Sequence, residues 1–288
     1  MTPSLPDLDL QKFLTEERRA IHLIGVAGSG MSGIAALLLE LGHDVRGSDK
    51  ARTLETERLQ QIGLRFFSPH KAEDTADAEL IIFSSAIKQN NPILVGAQAG
   101  NIPAIRRAEA LAAIMLGKRG IIIAGMHGKT TTSAMTAHVL RGGGLHPSHY
   151  VGAEIPILGS NAHWDPRGEY FVAEGDESDG TLQLFHPEHA LILNLEEEHL
   201  DFYKDLAAIE QVFLKLLAQT SGTVFYCADD PHAARVCGPR AASISYGFGE
   251  GARYRATGIA LHDFAATFCV ERGAEKLGDA TLSVPGKH

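Results

Sequence analysis

Short apolar runs rich in β-branched residues alternate with helical stretches over most of the chain. Ala20 to Gly25 reads as a strand, and an apolar-rich helix from about Ser32 to Leu41 follows a glycine-rich turn. His43 to Gly47 is the next strand. Thr53 to Ile62 reads as a helix, with Leu54, Leu59 and Ile62 as its inward positions. Leu64 to Phe67 and Glu79 to Phe83 are further strands, and helices around Pro92 to Ala99 and Arg106 to Leu116 complete a first block. The polar, glycine-bounded joint Leu116-Gly-Lys-Arg-Gly120 places a domain boundary between 1–118 and 119–288. A second cycle opens with Ile121 to Ala124 and a helix from Lys129 to Arg141. Strands near Tyr170 to Ala173 and Ala190 to Asn194, a helix over Leu206 to Leu217 and a strand at Thr223 to Cys227 follow. Strands alternating with helices predict α/β domains with parallel sheets covered on both faces. After Ala242 the pattern turns to strand-like runs: Ser243 to Tyr246, Tyr254 to Leu261, Phe264 to Val270 and Ala280 to Val284.

Composition adds bounds. A length of 288 residues suits two domains, and 44% hydrophobic with 21% charged residues suits a globular chain. The formal net charge of −9 argues against a general nucleic-acid binder or a polybasic membrane binder. Cys227, Cys237 and Cys269 form no Cys-x-x-Cys pair and fit a reducing compartment. Met1 to Ala20 carries Asp7, Asp9, Glu16 and Glu17 with no apolar core of a signal peptide. No apolar run approaches the roughly 20 residues that span a bilayer. The expectation is a cytoplasmic protein without nucleic-acid or membrane partners.

The second block carries the sharper motif. Gly125-Met-His-Gly-Lys-Thr-Thr-Thr132 follows a strand and opens a helix, the context of a phosphate loop. Glycines let backbone N–H groups face phosphates, and the helix N-terminus adds positive potential. Lys129 is placed to reach the β/γ-phosphates, and the Thr130 hydroxyl to join a Mg²⁺ shell. Ile123 stands where the common pattern has its first glycine, so the loop is a shortened one. Phe171-Val-Ala-Glu-Gly-Asp-Glu-Ser-Asp179 supplies the carboxylate such a site needs. Glu174, Asp176, Glu177 and Asp179 cannot all be ligands; Glu174 is favoured because it lies nearest the strand's C-terminal edge. His199, in Asn194-Leu-Glu-Glu-Glu-His-Leu-Asp201, follows another strand, and no Cys/His spacing suggests zinc.

The first block carries Gly25-Val-Ala-Gly-Ser-Gly-Met-Ser-Gly33 between strand and helix, with Asp49 at the end of the second strand. Ala27 breaks the strict G-x-G-x-x-G, so the loop suggests only a phosphate or diphosphate at that helix N-terminus.

Together these stretches resemble the Mur ligases, the ATP-dependent amide-forming enzymes of bacterial peptidoglycan synthesis. The likeness rests on Gly25 to Gly33, Gly47-Ser-Asp49, Phe83 to Lys88 with Asn91-Pro92, Ile102-Pro103 with Arg107-Ala-Glu109, Gly125 to Thr132, Glu174 to Gly180 and Asn194 to Tyr203. Within the family the chain most resembles the branch that joins L-alanine to UDP-N-acetylmuramate. The branch that attaches murein tripeptide is the nearest alternative. The resemblance implies a Rossmann-like UDP-sugar domain, a P-loop ATPase-type central domain with added strands, and the cofactors ATP and Mg²⁺. It implies that Gly125, Met126, His127, Gly128, Lys129, Thr130 and Thr131 bind ATP. Thr130 and Glu174 would hold Mg²⁺, His199 a second Mg²⁺, and Lys129, Glu174 and His199 would be the catalytic set. Ala27, Gly28, Ser29, Gly30 and Met31 would cradle the diphosphate, Asp49 and His70 would contact uridine, and Ser84 and Ser85 phosphate or sugar. Met126, Ala27, Gly175 and Glu198 depart from the family's usual threonine, glycine, alanine and aspartate. Pro285-Gly-Lys-His288 matches the start of the family's third domain. The expectation is therefore a two-domain fragment that binds the UDP-sugar but does not turn over alone. A nicotinamide-dependent oxidoreductase, read from the first loop and Asp49, leaves Lys129, Thr130 and Glu174 unexplained. A non-catalytic nucleotide-binding module is the other alternative.

Overall fold

The computed structural model describes residues 9–75, 77–178, 180–199 and 202–284. Asp7, Asp179, Asp201 and Pro285 to His288, all named above, lie outside the described residues. The chain forms two compact units, one of residues 1–120 with 133–174, the other of residues 121–132 with 175–288.

In the first unit, helix α1 (Leu10–Thr15) is capped by Asp9, whose carboxylate accepts from the Lys12 N–H. Five strands follow: β1 (Ala20–Ile24), β2 (Asp44–Ser48), β3 (Arg65–Phe67), β4 (Leu80–Phe83) and β5 (Ala104–Arg106). They form a sheet in the order β3-β2-β1-β4-β5, and every pairing is parallel. The helices that alternate with them are α2 (Ser29–Glu40), α3 (Leu54–Gln61), α4 (Pro92–Ala99) and α5 (Arg107–Met115). This order reverses beside β1, which places the first glycine loop at the crevice where open α/β sheets take ligands. Ile24, Ile81 and Phe83 pack with Ile93, Leu94 and Ala97 of α4 as one core cluster. The continuous apolar character of β1 and β4 reflects burial on both faces.

Local signals explain most boundaries. Thr53 and Thr56 form a reciprocal capping box on α3. Asn91 caps α4, and Pro92 fills its first turn, where a missing N–H costs nothing. In α3 the expected inward set needs correction. Leu59 is buried, whereas Leu54 and Ile62 are exposed. Thr56 takes the second inward position instead, three residues before Leu59 on the same helix face.

β6 (Arg119–Ala124) and α6 (Lys129–Gly142) come next in the chain, followed by β7 (Ser148–Tyr150), β8 (Ala162–His163) and β9 (Tyr170–Glu174). β7 pairs antiparallel with β8 and parallel with β9. Within the first unit this segment packs on α2. The Tyr150 hydroxyl donates to Gly30 O at 2.9 Å and accepts from Arg107 Nη1 at 2.8 Å. The ring lies so close that a Cβ on Gly33 would sit 2.8 Å from Tyr150 Cε2. Gly33 is thus a packing requirement. Gly33→Val is expected to cost about 1–3 kcal/mol through overpacking, read as a lowered urea midpoint; an unchanged midpoint would show that Tyr150 is free to move aside.

In the second unit, β6 is followed by β10 (His189–Ile192), α7 (Leu206–Gln219), β11 (Val224–Cys227), α8 (Pro231–Cys237) and β12 (Ser243–Gly247). Strands β6, β10, β11 and β12 are parallel neighbours in the order β6-β10-β11-β12. Phe213 and Leu216 of α7 are fully buried. β13 (Tyr254–His262), β14 (Ala265–Arg272) and β15 (Glu275–Leu282) add antiparallel pairings beyond β12. β15 begins earlier than the expected Ala280. Five elements, α1, β5, β7, β8 and α8, lie outside the expected set. Of these, β5, β7 and β8 are only two or three residues long, too short for periodicity to register. Helix α8 did carry a signal, the Asp230 cap before Pro231. Among the described residues no helix is long and apolar enough to cross a membrane.

Candidate active site

The phosphate loop of the second unit is built on the C-terminal ends of β6 and β10. Gly125 has φ of 145°, and a Cβ there would come within 3.0 Å of Asn194 N. Only glycine fits, because the loop passes directly against the end of β10. Asn194 then fastens the loop: its Oδ1 accepts from His127 N–H at 2.8 Å, and its amide donates to His127 O at 3.1 Å. Met126, in place of the family's usual threonine, is 6% exposed, so that departure points inward. Gly128 has φ of 83° and delivers the chain into α6.

Lys129 is the first residue of α6 and curls back over the loop. Its Nζ donates to Gly125 O at 2.7 Å, Met126 O at 3.2 Å and Glu177 Oε1 at 2.8 Å. Glu177 is 1% exposed. Burial pushes its carboxyl above the usual range, opposed by the Lys129 ammonium. His199 Nε2 lies 3.4 Å from the same Oε1. His199 adopts φ of 55°, a left-handed backbone that turns the chain at this point. Glu198 reaches His127, with Oε1 3.2 Å from Nε2. Thr130 and Thr131 follow Lys129 in the first turn of α6.

The acidic stretch therefore divides its roles. Asp176 is occupied locally, accepting from Ser178 N and Oγ at 3.0 and 2.6 Å. Glu177 faces Lys129 and His199. Glu174, at the end of β9 in the first unit, accepts from Gly152 N–H at 2.8 Å. Gly175 carries no side chain because a Cβ would lie 2.6 Å from Leu182 Cδ1. The sequence did not single out Glu177, Asn194 or Tyr203, whose hydroxyl donates to Glu177 O. Their signal was available only as adjacency to stretches already recognised.

A cavity of about 770 Å³ opens beside the loop. His127, Gly128 and Thr132 line one side, and Tyr246, Phe248 and Tyr254 present aromatic surface on another. Burial raises the Tyr246 phenol above its ordinary range and pushes the Cys237 thiol up to about 12, which keeps both neutral. Among the described residues no cluster of three or more His, Cys, Asp or Glu side chains makes a metal cage of protein ligands alone.

The first loop, in the other unit, is also held by backbone contacts. Gly25, with φ of 85°, and Val26 donate to Ser48 O at 2.8 and 3.3 Å. The Ala27 N–H donates to Asp49 Oδ2 at 2.9 Å, so Asp49 shapes the loop itself. Gly28 precedes α2 with no side-chain cap, leaving the helix end to backbone N–H groups. Ser29 O accepts from Asn161 Nδ2 at 2.8 Å, and Met31 is buried. Gly30 O is held by Tyr150. Ser84 follows β4, with its Oγ 3.7 Å from where a Gly25 Cβ would be; Ser85 is exposed next to it. His70 Nδ1 meets Ser48 Oγ at 3.0 Å, and the buried His22 Nε2 meets the same hydroxyl at 2.9 Å. The structure thus gathers Ala27 to Met31, Asp49, His70 and Ser84 at one sheet edge.

Comparison with known proteins places both loops in a wider frame. Residues 20–119 match the model of the Mur ligase family, catalytic domain, and residues 123–288 that of the Mur ligase middle domain. A UDP-N-acetylmuramate–L-alanine ligase of Geobacter sp. (strain M21) is 40% identical over 272 residues, covering 93% of this chain and 59% of its own. One of Myxococcus xanthus is 38% identical over 280 residues, covering 96% and 59%. The chain thus spans about 59% of the length of these curated relatives. The crystal structure of the UDP-N-acetylmuramate–alanine ligase of Thermotoga maritima aligns with TM-score 0.83 at 28% identity, over 93% of this chain and 61% of that one. A Neisseria ligase for UDP-N-acetylmuramate and L-alanyl-γ-D-glutamyl-meso-diaminopimelate shares the fold, with TM-score 0.83 at 23% identity over 94% and 89%. With family matches that run through both the glycine loop and the phosphate loop, this chain belongs to the Mur ligase family.

Proposed function

We propose that this chain serves an ATP-dependent ligation of L-alanine to the carboxylate of UDP-N-acetylmuramate in peptidoglycan synthesis. Residues 1–118 take the UDP-sugar and residues 119–288 take ATP. One observation carries the reading: Lys129 sits at the head of α6 beside a cavity that joins phosphate-loop residues to aromatic rings. That combination suits a nucleotide, with phosphates on backbone N–H groups and the base against apolar surface. The names of the relatives above supply the substrates.

In this reading the γ-phosphoryl group passes to the muramyl carboxylate, giving an acyl phosphate. The alanine amine attacks that carbonyl, and phosphate leaves from the tetrahedral intermediate. The chain's part is positioning and charge neutralisation. Loop residues Gly125 to Thr131 orient the phosphates, and Lys129 offsets the charge of the γ-phosphate. The Thr130 hydroxyl and the Glu174 carboxylate would each serve one Mg²⁺, and His199 a second. Two of these donors are hard oxygens, which suits Mg²⁺ with phosphate oxygens and water in the rest of its shell. When bound, the ion supplies further neutralisation of phosphate charge. Ala27 to Met31 cradle the diphosphate, with Asp49 fixing the loop, while His70, Ser84 and Ser85 complete that site. Both substrates are soluble nucleotides, which suits a cytoplasmic enzyme.

Calorimetric titrations with UDP-N-acetylmuramate and, separately, with Mg-ATP test the two halves independently. Saturable binding of each at one site per chain is expected. Binding of NAD in place of both would overturn the reading, and a heat for one ligand alone would remove the other half of it.

A further inference from the structure

Glu177 is a buried carboxylate in the nucleotide-site reading above that no phosphate contact requires. Lys129 has three N–H donors, and Gly125 O, Met126 O and Glu177 Oε1 take them. Two of those acceptors are neutral carbonyls of the loop itself. The third is charged, and it is the partner a phosphate oxygen would compete with directly. Glu177 is also anchored where it stands. Its carbonyl accepts from Gly180 N at 3.2 Å and from the Tyr203 hydroxyl. Its Oε2 is buried and has no hydrogen-bond partner among the described residues. A buried carboxylate with an orphaned oxygen is a costly arrangement unless a cation stays near it. His199 Nε2 lies 3.4 Å from Oε1 and faces the same oxygen.

We propose that Glu177 is a positioning residue that holds Lys129 against its loop and yields it to the phosphates when ATP binds. The inference rests on the assignment of the ATP site to this loop. Nucleotide binding is then an exchange of partners at Lys129, with Glu177 left facing His199. Because the competent position of Lys129 is reached only by breaking an ion pair, the apparent affinity for ATP is lowered by the fraction of chains in which it is released. Adenosine, which offers Lys129 nothing, escapes that penalty.

The test is calorimetric binding of Mg-ATP and of adenosine to the full chain and to Glu177→Gln, alone and in a Lys129→Ala background. Glu177→Gln is expected to bind Mg-ATP about tenfold more tightly, with adenosine affinity unchanged. In the Lys129→Ala background the same substitution is expected to leave Mg-ATP affinity unchanged, because the coupling runs through Lys129. Unchanged or weaker Mg-ATP binding by Glu177→Gln would overturn the proposal. So would an equal gain for adenosine, or a gain that survives without Lys129. In the unaltered chain, the ¹³C resonance of the Glu177 carboxyl should move with Mg-ATP and stay with adenosine, which needs no folded variant; a static resonance would count against the exchange. If the unaltered chain binds neither ligand, the nucleotide-site assignment falls first and the exchange with it; if it binds both, only the exchange is at stake.

Discussion

Lys129→Ala in the full-length protein is expected to lower ATP-dependent turnover by about 10²–10³-fold, the usual cost of deleting one preorganised charge partner of a transition state. Binding of UDP-N-acetylmuramate should be unchanged, since every residue assigned to that ligand lies in residues 27–85. The structure adds a second consequence. Lys129 is the cation beside a carboxylate that is 1% exposed. Removing one partner of a buried ion pair typically costs about 3–5 kcal/mol, because the other charge is left uncompensated. The variant should therefore also unfold at lower urea. The double variant Lys129→Ala with Glu177→Gln removes both charges. It should recover much of the stability and none of the turnover, which separates chemistry from folding. Phosphate release assays and urea titrations of the three proteins decide the matter. Turnover by Lys129→Ala within a few-fold of the parent would refute its role.

Acid should destabilise the first unit well above the range in which carboxylates titrate. His22 and His149 are fully buried, and burial pushes each imidazole down to about 4. An unfolded histidine protonates near 6.5. Between pH 6.5 and 4 the unfolded chain therefore binds protons that the folded chain refuses, so stability falls as pH falls. Above 6.5 neither residue contributes a slope, and below 4 their penalty is complete. At about 1.4 kcal/mol for each tenfold loss of proton affinity, each contributes roughly 3 kcal/mol. His163 acts in the opposite sense. Its hydrogen bond to Glu40 raises its imidazole, so it supports the fold at low pH and loses that support as pH rises through its folded value. His22 is the cleaner test, because Ser48 Oγ offers a glutamine at that position a partner. His22→Gln and the parent should diverge by up to about 3 kcal/mol as urea titrations move from pH 7 to pH 4. Parallel curves would show that His22 is already charged in the fold.

The two glycine loops show how far local chemistry reaches. Each sits between a buried strand and a helix, and each was recognisable because glycine, lysine and threonine occur at fixed offsets from an apolar run. The parallel pairing of the first sheet also follows from alternation, since each intervening helix supplies a crossover, whereas the strand order β3-β2-β1-β4-β5 does not. Other features had no such local mark. Leu54 looked inward and is exposed, because the neighbour that α3 packs on selects Thr56 and Leu59 instead. Gly33 read as part of a phosphate loop, yet what it requires is room for a ring far along the chain, at Tyr150. Asp49 read as a ligand contact, and the structure adds a second engagement, its Oδ2 accepting from the Ala27 N–H.

By itself, then, the sequence determined the periodicities, the caps and the loops. These are set by backbone hydrogen bonding and burial within a few consecutive residues. It also carried the family, because the motifs occur in order. Only the tertiary structure decided which member of Glu174, Asp176 and Glu177 faces Lys129. The three are alike in charge and nearly alike in reach. What distinguishes Glu177 is its desolvation, the hydrogen bonds from Tyr203 and Gly180, and the nearness of His199, residues whose positions a linear pattern does not encode.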